Sequence, residues 1–113
     1  MARRLTRLVA RILVVLAVVG GVLLLFEKQL IYFPTKAHDA TPAGLGLAHE
    51  DVELRAADGI KLHAWFLPAK GSRFTVLVLH GNAGNVSHRL DRALLMQLRL
   101  KLDTFLLDYR GYG

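Results

Sequence analysis

The chain has 113 residues, no cysteine and a formal net charge of +6. Without cysteine it forms no disulfide, no thiolate nucleophile and no cysteine-based zinc site. The positive charge is concentrated at the start, where four arginines stand within eleven residues (Arg3, Arg4, Arg7 and Arg11). Because no basic stripe interleaved with aromatic residues follows them, nucleic acid is not predicted as a partner.

Residues 1–33 combine this basic start with a long apolar run. The run Ile12 to Phe26 is uninterrupted, and a start at Leu8 lengthens it to ~28 Å of helix, enough to span a lipid bilayer. Charged residues follow the run where a cleaved signal peptide would carry small residues, so we predict an uncleaved signal anchor. The arginines predict a cytoplasmic N-terminus, with the rest of the chain on the non-cytoplasmic side.

Residues 34–50 are polar and rich in alanine, glycine and proline, which is typical of a linker or a surface loop. The stretches Asp51–Arg55 and Ile60–Leu67 then alternate apolar and polar residues, with an Asp-Gly pair between them. This pattern predicts two antiparallel strands joined by a tight turn.

A different pattern follows the hairpin. Phe74–Leu79 is continuously apolar, which indicates a strand buried on both faces. Val86–Arg99 has helical spacing, with Asn85 as the predicted N-cap and one apolar stripe formed by Val86, Leu90, Leu94 and Leu98. Thr104–Leu107 is a second buried strand. A strand, a helix and a further strand in this order predict an α/β fold with a parallel sheet.

Four sequence motifs in a fixed order resemble one family. They are LIYFP directly after the apolar run, DGIKLHAW in the hairpin, VLVLHGNAGN and FLLDYRGYG. Together they closely resemble the α/β-hydrolase superfamily, specifically its branch of single-pass membrane-anchored serine hydrolases. The resemblance implies an N-terminal transmembrane helix followed by the first, incomplete part of an α/β-hydrolase sheet over residues 51–113.

The resemblance also implies an activity for the intact protein: hydrolysis of an ester, thioester or amide of a small acyl substrate through an acyl-serine intermediate, without a cofactor. In that family the loop matching His80-Gly81-Asn82 supplies one oxyanion-hole donor. The matching donor here is the backbone N–H of Asn82, with His80 orienting the loop. Independently of the family, a glycine loop between a parallel strand and a helix N-terminus favours a negatively charged ligand.

The catalytic serine, acid and histidine of such an enzyme are not expected within this sequence. Ser72 and Ser87 both lie outside a G-x-S-x-G motif, and the family's triad follows the order Ser, acid, His. His80 precedes any such motif. The other four histidines show no metal-ligand spacing and are interpreted as solvated or structural, with no metal site predicted: His38, His49, His63 and His88. We therefore expect these residues alone to be inactive.

Two other functions stay open at this point. One is a small membrane protein whose exposed part is a non-enzymatic interaction module. The other is a nucleotide-binding α/β domain, because Asp108 ends a strand where a dinucleotide fold places its ribose-binding acid. Gly81-x-x-Gly84 does not match the nucleotide motifs. In either α/β arrangement His80 and Asp108 are expected at one sheet edge, within reach of each other. The oligomeric state is left open.

Overall fold

The structure, a computed structural model, describes residues 2–113. It divides into two compact units, Met1–Tyr32 and Phe33–Gly113. The first unit is helix α1 (Ala2–Ile31). Its segment Arg3–Ile31 has a mean hydropathy of 2.8 and is long and apolar enough to cross a membrane. An apolar helix therefore forms where the sequence predicts one, while its orientation in a membrane stays a prediction.

The second unit is built on a four-stranded sheet in the order β2 (Glu50–Arg55), β3 (Lys61–Leu67), β6 (Asp103–Leu107) and β4 (Thr75–Leu79). Strands β2 and β3 form the predicted antiparallel hairpin. Strand β6 lies antiparallel to β3 and parallel to β4. The predicted parallel pair and its crossover are confirmed. The sheet as a whole is mixed.

The helical crossover is less regular than predicted. It consists of a 3-10 turn (Val86–Arg89), a short α-helix α2 (Leu90–Leu94) and a π-helical turn (Leu95–Arg99). Asn85 is the N-cap, as predicted, because its side-chain oxygen accepts a hydrogen bond of 3.0 Å from the Ser87 N–H.

The predicted apolar stripe is wrong at its last position, since the Leu98 side chain is exposed. Gln97 is buried in its place and donates hydrogen bonds to the carbonyls of Ala48 and Pro68, at 2.7 and 2.8 Å. A π turn holds more residues than an α turn, so it shifts which side chain faces the sheet. Val86 and Leu90 remain buried, as predicted.

The prediction that the Phe74–Leu79 strand is buried on both faces is also wrong. Phe74, Leu77 and Leu79 are exposed, and only Val76 and Val78 are partly covered. The physical reason is that the crossover helix covers one face of the sheet. The core of residues 33–113 lies under that helix and contains Leu47, Trp65, Leu67, Val86, Leu90, Ala93 and Leu106.

The segment after α1 packs on the sheet unit. Phe33–Pro34 forms a short strand, β1, parallel to β5 (Ala83–Gly84). Further along, Pro42 and Leu47 are buried, on either side of a 3-10 turn. Residues 34–50, predicted as a linker, thus supply part of the core. The predicted domain boundaries, at residues 1–33, 34–50 and 51–113, remain predictions.

Candidate functional site

The three predicted site residues lie directly after β4, at the carboxyl end of the parallel strands. His80 is buried, whereas Gly81 and Asn82 are exposed. The His80 ring packs at a tilt against the rings of Tyr109 and Tyr112, with centroids 4.3 and 4.8 Å away. Its Nδ1 donates to the Gly81 carbonyl at 2.8 Å, because a carbonyl oxygen only accepts. This bond fixes the ring against the start of the loop.

The loop is held from two directions. The Asn82 carbonyl accepts hydrogen bonds from the Phe33 N–H at 2.8 Å and from the Tyr112 hydroxyl at 2.7 Å. The Gly84 carbonyl accepts from the Thr35 N–H at 3.2 Å. Within residues 2–113, no acceptor is recorded for the Asn82 N–H. Asn82 is therefore an exposed residue on a backbone fixed by hydrogen bonds, and its N–H has no acceptor among the described residues.

Gly84 is the glycine that this loop requires. It has a φ of +79°, in the left-handed region that favours glycine. A Cβ at this position would also overlap the His88 ring. A Cβ at Gly81 would lie 3.9 Å from Arg89 Nη2, an ordinary contact. The sharp turn into the helix therefore depends on Gly84, and Gly81 is not sterically required.

Asp108 lies beside His80, where β6 ends. His80 Nε2 is 3.4 Å from Asp108 Oδ1, which confirms the prediction that the two residues end neighbouring strands within reach of each other. The Nε2 atom is buried and forms no hydrogen bond among the described residues. Asp108 Oδ1 instead accepts a bond of 2.9 Å from the Val86 N–H, in the first turn of the crossover.

The second oxygen of Asp108 faces two histidines that linear spacing did not connect. Asp108 Oδ2 lies 3.0 Å from His38 Nε2 and 3.2 Å from His63 Nδ1. Asp108 is fully buried, and the two imidazoles are partly exposed. His38 and His63 therefore form, with Asp108, a cluster that the sequence did not indicate. His49 and His88 lie outside it.

A cavity of about 470 Å³ lies beside this cluster. Its lining includes His63 and Asp51 from the hairpin, Lys36, and three residues that follow β6: Tyr109, Tyr112 and Gly113. At its rim the Lys61 ammonium, 2.8 Å from Glu53, lowers the pKa of the Glu53 carboxyl. The cavity gives a small molecule access to the His63 side of the cluster.

The nucleotide-binding alternative depends on Asp108 as the ribose-binding acid, and the surroundings of Asp108 argue against that role. A ribose-binding acid needs a carboxylate free to accept hydrogen bonds from the sugar hydroxyls. Both oxygens of Asp108 are directed at His38, His63, His80 and the Val86 N–H. The carboxylate holds the sheet edge together and has no oxygen left for a ribose.

Comparison with known proteins identifies the family. The chain is 43% identical over 107 residues to WAV2 of Arabidopsis thaliana, described as an α/β-hydrolase domain-containing protein, with 85% of this chain and 34% of WAV2 covered. An esterase from Pyrococcus furiosus superposes with a TM-score of 0.59 and 26% sequence identity, over 74% of this chain and 32% of the esterase. The chain belongs to the α/β-hydrolase superfamily. No protein-family model matches it.

The structure carries the first part of an α/β-hydrolase sheet, preceded by an apolar helix. This chain spans about a third of the length of the curated relatives it matches. A yeast relative, 33% identical over 93 residues, is described as an uncharacterised membrane protein of Saccharomyces cerevisiae; the match covers 78% of this chain and 32% of that protein. Together with α1, this relative indicates association with a membrane.

Proposed function

We propose that these residues belong to a membrane-anchored serine hydrolase that cleaves an ester, thioester or amide, with Asn82 supplying one donor of the oxyanion hole. The observation that carries the proposal is that Asn82 is exposed at the carboxyl edge of β4 and that its N–H has no acceptor within residues 2–113. Substrates of open α/β sheets bind at that edge. A fixed backbone N–H there stabilises the oxyanion that forms when a nucleophile attacks an acyl carbon.

The fastening of the loop supports this role. An oxyanion donor works best when it is held in place before the reaction, so that no reorganisation is needed in the transition state. Phe33 and Tyr112 both bond to the Asn82 carbonyl, so β1 and the segment after β6 hold the residue from two sides. In this proposal His80 orients the loop through its bond to Gly81.

Residues 1–113 alone are proposed to be inactive. The Ser87 hydroxyl is buried and donates to Asn85 Oδ1 at 2.6 Å, and the Ser72 hydroxyl donates to the Phe74 carbonyl at 2.7 Å. Within the described part of the chain, neither serine has the base or the strand-to-helix elbow that activates a nucleophile. The proposal places a G-x-S-x-G motif after one further buried strand in the intact protein. Translation of the gene beyond Gly113 tests this directly.

The membrane orientation is proposed from charge alone. The arginines before the apolar run favour a cytoplasmic N-terminus, which places residues 33–113 on the non-cytoplasmic side. Protease added outside spheroplasts is expected to digest the sheet unit while a cytoplasmic marker stays intact. Protection of the sheet unit under these conditions would show that the orientation is reversed.

The oxyanion role is tested by two substitutions at one position in the full-length protein. Asn82→Pro removes the backbone N–H, and Asn82→Ala keeps it while removing the side chain. We expect Asn82→Pro to lower kcat on an activated ester by ~10²–10³-fold, the usual effect of losing one oxyanion donor. Asn82→Ala should stay within a few-fold of the wild type. Equal losses in both variants, at unchanged thermal stability, would contradict the role.

The interaction-module alternative is favoured by one observation, the open apolar edge at β4. Leu77 and Leu79 are exposed, and within the described residues β4 pairs only with β6. Such an edge accepts a strand from another chain. Hydrolysis by the full-length protein would decide for the enzyme. A partner strand bound at β4, without hydrolysis, would decide for the module.

A further inference from the structure

The cluster formed by His38, His63 and Asp108 has the geometry of a metal site. One ligand atom from each residue lies within 4.8 Å of the other two. The distances from Asp108 Oδ2 to His38 Nε2 and His63 Nδ1 are 3.0 and 3.2 Å. Ligands of a tetrahedral zinc ion, bound at 2.0–2.1 Å, are separated by about 3.3 Å. The cluster therefore needs only small movements to accept an ion.

The charge of the cluster also favours a bound metal ion. Asp108 is fully buried, and no lysine or arginine within residues 2–113 forms an ion pair with it. Burying a carboxylate is costly unless a cation compensates its charge. A bound divalent cation would supply that compensation.

We propose that His38, His63 and Asp108 bind a divalent metal ion of the zinc class. Two imidazole nitrogens and one carboxylate oxygen favour Zn²⁺ and its transition-metal neighbours over Mg²⁺ or Ca²⁺, which prefer oxygen ligands. The proposed metal site does not involve the Asn82 donor, so it can be tested separately from the proposed hydrolase activity.

The groups around the three ligands fit this assignment. A ligating histidine usually directs its second ring nitrogen at a carboxylate or a carbonyl. His63 Nε2 lies 3.7 Å from Asp51 Oδ1, and Asp51 is itself held by a 2.8 Å bond from Trp65 Nε1. On the ligand Asp108, the other carboxylate oxygen is held by the Val86 N–H. Asp108 is therefore oriented by a hydrogen bond, and His63 has a carboxylate facing its second ring nitrogen.

The ion would have both an entry path and a structural effect. His63 and Asp51 line the cavity beside the cluster, so the remaining coordination positions open towards solvent or a small ligand. The three ligands come from the segment before β2, from β3 and from the end of β6. One ion would thus join the polar segment after α1 to both the hairpin and the central strand.

The test is zinc binding by the full-length protein in detergent, measured by competition with a chromogenic chelator. We expect saturable binding of one zinc ion that depends on His38 and His63. His38→Gln and His63→Gln keep an N–H that can donate to Asp108 while removing the imidazole. Each should weaken binding by more than the ~10–100-fold known for loss of an outer-shell partner.

His49→Gln is the matched control, because His49 precedes the same hairpin but its ring contacts the Leu47 carbonyl and lies outside the cluster. It should bind zinc as the wild type does. Cobalt substitution gives a second readout: a four-coordinate site produces intense visible absorption that His38→Gln and His63→Gln abolish. The proposal is overturned by the absence of saturable zinc binding in the wild type. It is equally overturned by binding that both cluster variants retain.

Discussion

Strands β6 and β4 are neighbours of equal length with similar apolar sequences, yet they differ in burial. Phe105 and Leu107 of β6 are partly buried, whereas their register partners Leu77 and Leu79 of β4, on the same face of the sheet, are 56% and 54% exposed. The difference lies in their surroundings. β6 has a strand on each side, while β4 has, among residues 2–113, a partner strand on one side only.

The comparison shows that an apolar sequence indicates the burial for which a strand is suited, which can differ from the burial that the strand has in these residues. TVLVL of β4 is the sequence of a strand covered on both faces. In residues 2–113 the helical crossover covers one face, so Leu77 and Leu79 stay bare together with the strand's outer backbone groups. Open apolar edges of this kind promote aggregation.

The largest expected effect is loss of stable folding when residues 33–113 are expressed alone. One helix on a four-stranded sheet leaves little stabilisation after the conformational entropy of about 80 residues is subtracted. We expect aggregation or a melt without a cooperative transition when circular dichroism is followed during heating. Leu77→Lys combined with Leu79→Lys should reduce the aggregation, because like charges on the open edge oppose strand pairing.

A soluble monomer of residues 33–113 with a sharp, reversible transition would contradict this prediction. It would show that β4 tolerates solvent on its outer edge. The exposed face of β4 would then be a stable protein surface that needs no further covering, and the interaction-module alternative would be favoured.

The next largest effect concerns single leucines in the full-length protein. Leu106→Ala should lower the free energy of unfolding by ~2–5 kcal/mol, because it empties a fully buried site. Leu77→Ala should cost at least ~1 kcal/mol if further parts of the protein cover β4, and less than ~0.5 kcal/mol if the strand stays exposed. We expect the larger value, measured by denaturant unfolding.

Leu98→Ala serves as the control for those measurements, since Leu98 is apolar, exposed and part of the helical crossover, not of a strand. Its cost should be small in every form of the protein. An equally small cost for Leu77→Ala would mean that nothing covers the open face of β4, and the expected extension of the sheet would be wrong.

A smaller effect is expected at Asn85, which is completely buried between the loop and the crossover. Its Oδ1 caps the first turn, and its Nδ2 donates to the carbonyls of Thr35 and Ala37 at 3.0 and 2.8 Å. Asn85→Ala loses both functions and should cost about 2 kcal/mol. Asn85→Asp keeps the cap but places a carboxylate against two carbonyls.

The two variants separate the roles of the side chain in thermal unfolding of the full-length protein. If Asn85→Asp is as stable as the wild type, the bonds to Thr35 and Ala37 contribute nothing. Asn85→Ser is the matched control, because serine caps helices but cannot reach both carbonyls. It should lie between the wild type and Asn85→Ala.

Local patterns predicted most of the fold. The Asp-Gly pair at Asp58 and Gly59 requires a turn in which Gly59 takes a φ of +84°, so the hairpin followed directly. Apolar runs flanking a helical segment predicted the parallel pair. The π turn around Gln97 could not be predicted, because its register depends on the carbonyls of Ala48 and Pro68, which tertiary packing brings there.

The candidate site was predicted only where it follows from strand ends. His80 and Asp108 end adjacent parallel strands, so their proximity follows from topology. The approach of His63 had a partial signal, since alternation places it on the same side of β3 as Trp65. His38 had none. It lies in an irregular segment of the chain, and no periodicity determines which residue of such a segment meets Asp108.

The smallest expected effect concerns the surface ion pair between the hairpin turn and the segment after β6. Arg110 Nη1 lies 2.6 Å from Asp58 Oδ2, and this bond, followed by the Ile60 N–H, lowers the pKa of Asp58 below its ordinary value of 3.8. A lowered carboxyl pKa stabilises the fold above the ordinary value, and that contribution is lost as the pH falls through the lowered pKa. Both side chains are about half exposed, so salt should weaken the effect.

Carbon NMR of the Asp58 carboxyl in the full-length protein should show its pKa rising in Arg110→Gln. The pKa should not rise in the control Arg55→Gln, because Arg55 pairs with Glu53. If the pKa of Asp58 is unchanged in Arg110→Gln, the hydrogen bond from the Ile60 N–H, and not Arg110, lowers that pKa.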